Sequence, residues 1–345
     1  MTAPTRQSAE SSEEFQVSNG QGLSMTVGSF GARLVELAVP DRDGKLDNVV
    51  LGFADAESYR QNVDLYFGAT VGRVAGRIAR GEFSLDGHHY TLTRNEGANH
   101  LHGGPHRGLD RVEWSAQSGS TEHGPGVVFT YTSPHMEEGY PGTLKLRAEY
   151  ALSDRNELWT VLTAESDAAT PVNLTNHSYW TLNGGRPGSI LQHELMIAAG
   201  RIVSMGPDLI PTGELSSVVA TAWDFRRARP LRERLPKDTV EPWPGFDNAY
   251  VLDDHDELDI VASLWDPVSG RCMQIRTSEP SLQVYTANRL DDMSGRGGKR
   301  YGAGSAICLE PQRMPDAVNQ TQFPPITLAA GQVYRHVSCY EFSVR

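Results

Sequence analysis

The chain has 345 residues, 39% of them hydrophobic and 21% charged, the balance of a soluble globular protein that can bury a large core. Its 43 acidic residues against 31 basic ones give a formal net charge of −12. That argues against a nucleic-acid partner, which needs a basic face, and leaves a neutral substrate open. No run of apolar residues is long enough to span a membrane.

The N-terminal "MTAPTRQSAESSEEF" is polar and acidic, without the apolar core of a signal peptide, and reads as a mobile tail over residues 1–14. Cys272, Cys308 and Cys339 are odd in number and far apart, which fits neither a disulfide framework nor a CxxC metal site. They read as reduced structural thiols in a cytoplasmic protein. The sequons at Asn173, Asn176 and Asn319 are then chance matches.

Taken in chain order, the predicted elements are strands. "LVELAVPDRDGKLDNVVLGF" places Asp43-Gly44 between two apolar runs, and "DAESYRQN" offers two turns of helix. In "GEFSLDGHHYTL", Phe83 and Leu85 alternate with polar residues, Asp86-Gly87 supplies a tight turn, and Tyr90 and Leu92 resume the alternation. "VVFTYTS", "TLKLRAEYAL" and "ELWTVLTAES" follow closely, the last two joined by the polar turn "SDRN". Short strands linked by turn residues predict antiparallel sheets. With no internal repeat and no linker, residues 15–345 read as a single all-β domain, a large antiparallel β-sandwich.

Several segments carry candidate chemistry. "VGRVAGRIARG" groups Arg73, Arg77 and Arg80, either a solvated face or a set of planar cations for paired oxygens. "NHLHGGPH" would put His100 and His102 on one side of a strand, a possible metal pair, but no carboxylate follows before Glu113. "VNLTNHSYW" sets His177 among hydroxyls, amides and aromatics, where a core strand would carry Val or Leu; it is a hydrogen-bonded strand-end residue or a proton-transfer group. "PGFDNAYVL" places Asp247 in a turn ahead of a strand, and "SLQVYTA" puts Gln283 and Tyr285 on one strand face with Leu282 and Val284 on the other. The glycine-rich "SGRGGKRYGAGS" lacks the ending of a phosphate loop and reads as a surface loop. In "AICLEPQ" an apolar strand runs into Glu310, either a strand-end carboxylate reaching water or a base of raised proton affinity at the sheet's mouth.

The motifs "GRVAGRI", "NHLHGG", "NLTNHSYW", "GFDN", "LQVYT" and "CLEPQ", in this order, together with the tail "PDAVNQTQFPPITLAAGQVYRHVSCYEF", resemble the aldose 1-epimerases, or galactose mutarotases, over roughly residues 25–345. The resemblance implies a supersandwich with an open sugar cleft and no cofactor or metal. It implies interconversion of the α and β anomers of free aldohexoses such as galactose and glucose. It also implies Glu310 as catalytic base and His177 as acid, with Arg77, His102, Tyr179, Asp247 and Gln283 holding the sugar. The pattern departs at Gly76, where Asn often stands, at Pro311 for Thr and at Asn248 for His, which bears on substrate preference. The expected partner is a small aldose, with no membrane or nucleic acid, for a monomer or homodimer. Three rival readings are a sugar-phosphate epimerase using Arg73 or Arg80, a non-catalytic sugar-binding protein of the same fold, and, as the outsider, a cupin-like metal enzyme.

Overall fold

Alternation of apolar and polar residues, more than apolar blocks, sets the architecture. The structure, a computed structural model, describes residues 12–185, 188–236 and 244–345. The tail expected over residues 1–14 lies outside them as far as residue 11, and Glu14 opens the first strand, Glu14–Ser18. The expected all-β class and sandwich are seen. A nine-stranded sheet runs Ser115–Thr121, Gly124–Ser133, Leu144–Leu152, Glu157–Ser166, Val333–Val344, Arg271–Thr277, Ala262–Trp265, Glu194–Ile197 and Arg229–Pro230. A six-stranded sheet runs Tyr179–Trp180, Ile307–Gln312, Ser281–Tyr285, Asp247–Val251, Arg201–Met205 and Pro211–Ser217. Neighbouring strands pair antiparallel in both sheets.

Local turn chemistry follows the sequence. Asp86 and Gly87 take φ values of 50° and 78°, the positive pair that a two-residue hairpin turn demands, and join Glu82–Leu85 to His88–Thr91. The strands Arg33–Pro40 and Leu46–Asn48 flank the turn at Asp43-Gly44. The short helix Ala56–Gln61 is capped by the Asp55 carboxylate, which accepts from the Ser58 amide at 2.8 Å.

The period of two also divides the six-stranded sheet into a core face and a site face. Ile307, Leu309, Leu282, Val284 and Tyr250 join one apolar cluster with Leu158, Leu162, Met273, Ile275 and Phe342 of the large sheet. The intervening residues point the other way and are covered by the irregular segment that carries Tyr66, Gly76, Arg77, Glu96 and His102. At roughly 25 cal/mol per Å² of apolar surface, burial on the core side supplies the main stabilisation and leaves the other face available for polar groups.

The arginine cluster separates by role. Arg73 is 2% exposed and its guanidinium donates to Ser133 Oγ and to the carbonyls of Ser133, Pro134, Pro141 and Gly142. Burial lowers its pKa to about 10, so it stays charged at neutral pH. Every donor is spent on holding the 133–142 loop. Arg73→Met should therefore lower stability by about 3–5 kcal/mol, measured as a shift of the urea midpoint. Arg80→Met, at an exposed position, should stay within about 0.5 kcal/mol. Equal midpoints for the two variants would contradict the structural role of Arg73.

Candidate active site

Glu310 is not a strand-end residue. It lies inside the strand Ile307–Gln312, which is buried throughout, and is 2% exposed. The strand Ser281–Tyr285 pairs with it along its length, setting Gln283 opposite Glu310. On the other side, Tyr179–Trp180 pairs only with Cys308 and Ile307. The sheet therefore opens beside Glu310. Pro311 fits here because its carbonyl accepts from Thr175 Oγ1 at 2.8 Å, on the side away from the ladder, where no strand asks for its missing N–H.

The run around His177 is mostly scaffold. Thr175–Asn176 pairs with Thr70–Val71, and the His177 amide donates to the Ala69 carbonyl while its own carbonyl accepts from Gly68. Asn176 Nδ2 donates to Gly68 O and Tyr150 OH, and Ser178 Oγ donates to Asn176 Oδ1. Asn173 holds Ala75 and Arg313 through their backbones. Of this polar stretch only His177 and Tyr179 line the cleft, so the expectation of a polar floor narrows to these two side chains.

All seven residues singled out from the sequence, Arg77, His102, His177, Tyr179, Asp247, Gln283 and Glu310, line one cleft. His177 Nε2 stands 3.6 Å from Glu310 Oε1. Its ring is stacked between Tyr66, at 5.6 Å and 24°, and Tyr179, at 5.1 Å and 23°. Burial lowers the His177 pKa to about 4. Burial, and then the nearby Asp247 carboxylate, push that of Glu310 well above the usual carboxylate range. Glu310 Oε2 and Gln312 Oε1 are buried with no hydrogen-bond partner among the described residues, and both side chains line the cleft. Polar atoms in that condition are suited to a polar ligand.

Gln283 Nε2 donates to Asp247 Oδ1 at 2.6 Å, and Asp247 begins the strand Asp247–Val251. Arg77 makes a two-pronged ion pair with Glu96 at 2.5 and 2.7 Å, and Arg289 reaches the same carboxylate at 3.1 Å. Burial opposes the Arg77 charge, but Glu96 and Asp247 outweigh it and raise its pKa.

The two histidines of "NHLHGG" part company. The strand ends at Leu101 and His102 turns away with φ 52°. His100 Nδ1 donates to Thr93 O at 2.7 Å and Nε2 accepts from Tyr140 OH at 2.8 Å, so this ring is structural. His102 Nδ1 accepts from the Gly76 amide at 3.2 Å. Burial keeps His102 neutral, its pKa well below the ordinary value, so its proton sits on Nε2 as a donor. The metal pair read from their spacing is thus not formed. Gly76, at φ 77°, is locked to His102 in both directions, and a Cβ there would come 3.2 Å from Pro315 Cβ.

Sequence reasoning missed Tyr66, Glu96, Tyr285, Arg289 and Gln312 as cleft residues. Two carried a signal: Tyr285 and Gln312 stand two residues beyond Gln283 and Glu310 and so share their face. Tyr66, Glu96 and Arg289 come from loops whose path no periodicity encodes.

The aldose 1-epimerase family model matches residues 13–341. Galactose mutarotase of Rattus norvegicus is 44% identical over 96% of this chain and 94% of its own length. Aldose 1-epimerase of Escherichia coli is 32% identical over 94% and 93%. The crystal structure of an aldose epimerase homologue from C. elegans superposes with a TM-score of 0.90 at 34% identity, over 97% of this chain and 99% of the other. On a match that spans nearly its whole length, the chain belongs to the aldose 1-epimerase family.

Proposed function

We propose that this enzyme interconverts the α and β anomers of free aldohexoses, galactose and glucose among them, by proton transfer through Glu310 and His177. The observation that carries this reading is the pair itself: a carboxyl and an imidazole 3.6 Å apart, both buried and both lining the cleft, with one carboxyl oxygen unpartnered. Ring opening breaks the C1–O5 bond. Glu310 takes the proton from the C1 hydroxyl as the carbonyl forms, and His177 delivers a proton to O5. The aldehyde turns about C1–C2, and the reverse transfers close the ring on its other face.

The pair carries one proton throughout this cycle. With the ring closed and ready to open, the proton belongs on His177; with the ring open it belongs on Glu310. Burial favours the second arrangement in the sugar-free site. The sugar's hydroxyl groups, held by Arg77, His102, Asp247 and Gln283, restore the polar surroundings that let the carboxylate form. The proton belongs to the coupled pair rather than to either residue alone.

The cleft supports a neutral substrate over a phosphorylated one. Arg73 has its donors committed elsewhere, and Arg80 does not line the cleft. Both lining arginines, Arg77 and Arg289, already contact Glu96, and Asp64 and Asp247 add negative charge.

Polarimetry of freshly dissolved α-galactose and α-glucose tests the reading. The protein should speed the approach to equilibrium, with the rate unchanged after exhaustive chelation. Acceleration confined to sugar phosphates, or absent for both hexoses, contradicts it. Glu310→Gln and His177→Asn should each lower kcat by about 10²-fold or more, the scale of a lost general acid or base. Near-normal kcat in the Glu310→Gln protein removes the assignment.

The pH profile follows from the one-proton requirement. A second proton binds as pH falls through the lowered pKa of His177, about 4, so kcat/KM should decline there. The working proton leaves as pH rises through the elevated pKa of Glu310, giving the alkaline limb. An acid limb at or above the ordinary histidine value would show that burial does not set the pair's protonation.

A further inference from the structure

The site face of the strand Ile307–Gln312 carries a third chemically active group. Cys308 stands two residues before Glu310 and is fully buried beneath the cleft. Its Sγ lies 3.6 Å from His177 Nδ1, while Nε2 of the same ring stands 3.6 Å from Glu310 Oε1. Ligand atoms of His177, Cys308 and Glu310 all lie within 4.8 Å of one another, the one such grouping of three potential metal ligands among the described residues.

The spacing matches a known coordination geometry. Zinc bonds of about 2.1 Å to imidazole nitrogen and 2.3 Å to thiolate sulfur, at a tetrahedral angle, set those donors about 3.6 Å apart. The observed Nδ1–Sγ separation is 3.6 Å. The carboxylate edge of such a site is about 3.4–3.6 Å, and the three donors lie within 4.8 Å of one another, so Glu310 must close on the ion. Its Oε2 has no protein partner to hold it back. The fourth position would face the cleft, the open arrangement of zinc sites with three protein ligands.

We propose that His177, Cys308 and Glu310 form a latent site for a thiophilic divalent cation of the zinc class, and that an ion held there competes with the sugar. The cation replaces two hydrogens: the Cys308 S–H bond breaks as a sulfur–metal bond forms, the Glu310 carboxyl gives up its proton as its oxygen binds, and both protons leave to solvent with no change of oxidation state. The Nδ1 lone pair and one Glu310 oxygen complete the protein ligands. Thiolate and carboxylate together balance the ion's two charges in a buried site. A sulfur- and nitrogen-containing donor set selects zinc or cobalt over magnesium and calcium, which prefer all-oxygen shells. Occupation withdraws both proton-transfer groups, so the ion acts as an inhibitor and not as a resident cofactor. Only this inhibitory consequence rests on the proposed anomerase reading.

Cobalt serves as the spectroscopic probe. The full-length protein, stripped of metal and titrated with Co²⁺ in a non-chelating buffer, should develop a sulfur-to-cobalt charge-transfer band at one equivalent. The band should disappear in Cys308→Ser and diminish when galactose is added to saturation. Zn²⁺ should displace the cobalt and abolish anomerisation of α-galactose. Excess EDTA should restore the rate, more galactose should raise the Zn²⁺ needed for half-inhibition, and Mg²⁺ should leave the rate unchanged. The site is disproved if no band appears at millimolar Co²⁺, or if a band persists in Cys308→Ser. Zn²⁺ inhibition undiminished in that variant disproves it equally. Should Cys308→Ser fail to fold, Cys308→Ala carries the same comparison. A Cys308-dependent band in a protein with no anomerase activity would uphold the metal site while overturning the proposed function.

Discussion

Burying the Glu310 carboxyl inside a β-sheet is the constraint around which the site is built. An ionised carboxylate without a partner costs several kcal/mol in such a place, so the group holds its proton until something polar approaches. The sheet makes this possible by ending one neighbour early. Ser281–Tyr285 pairs with the strand along its length, whereas Tyr179–Trp180 stops beside Cys308. That leaves Glu310 and Gln312 facing a gap with unused hydrogen-bonding capacity. In the function proposed for this site, a group so placed exchanges its proton with an entering hydroxyl, which is what reversible ring opening demands.

His177 is the counterweight. Its backbone is tied on both sides to the 66–71 segment, and its ring is stacked between Tyr66 and Tyr179. Aromatic walls remove water from the imidazole and disfavour its charge, so the proton of the empty site belongs on the carboxyl. The surrounding polar residues make this placement rigid. Asn173, Thr175 and Asn176 bind the backbone carbonyls of Ala75, Pro311 and Gly68, and Ser178 fixes the Asn176 side chain. The polar character of "VNLTNHSYW" thus has two sources, one chemical residue and several structural ones.

The arginines show the same division. Arg73 and Arg77 stand four residues apart in a glycine-rich stretch, and the sequence offers no reason to separate them. Arg73 turns inward and ties down a distant loop, while Arg77 turns to the cleft and is braced by Glu96. Glu96 comes from a loop segment that carries no motif. Bracing matters because a guanidinium fixed by a carboxylate presents its remaining edge in one orientation, and a polyol is recognised through directed bonds.

The sequence by itself determined the all-β class, the hairpins at Asp43-Gly44 and Asp86-Gly87, the short helix in "DAESYRQN", and the face of the strand that carries Gln283 and Tyr285. Those features follow from neighbours within a few residues, through side-chain alternation and turn geometry. Six ordered motifs also sufficed to gather the seven cleft residues, through resemblance rather than through physics. Tertiary structure alone decided that Glu310 sits mid-strand, that His100 and His102 diverge, that Arg73 is structural, and that Tyr66, Glu96 and Arg289 complete the cleft. Each of these depends on which distant segments meet and on what burial then does to a charge, and neither is encoded in the spacing of residues along a chain.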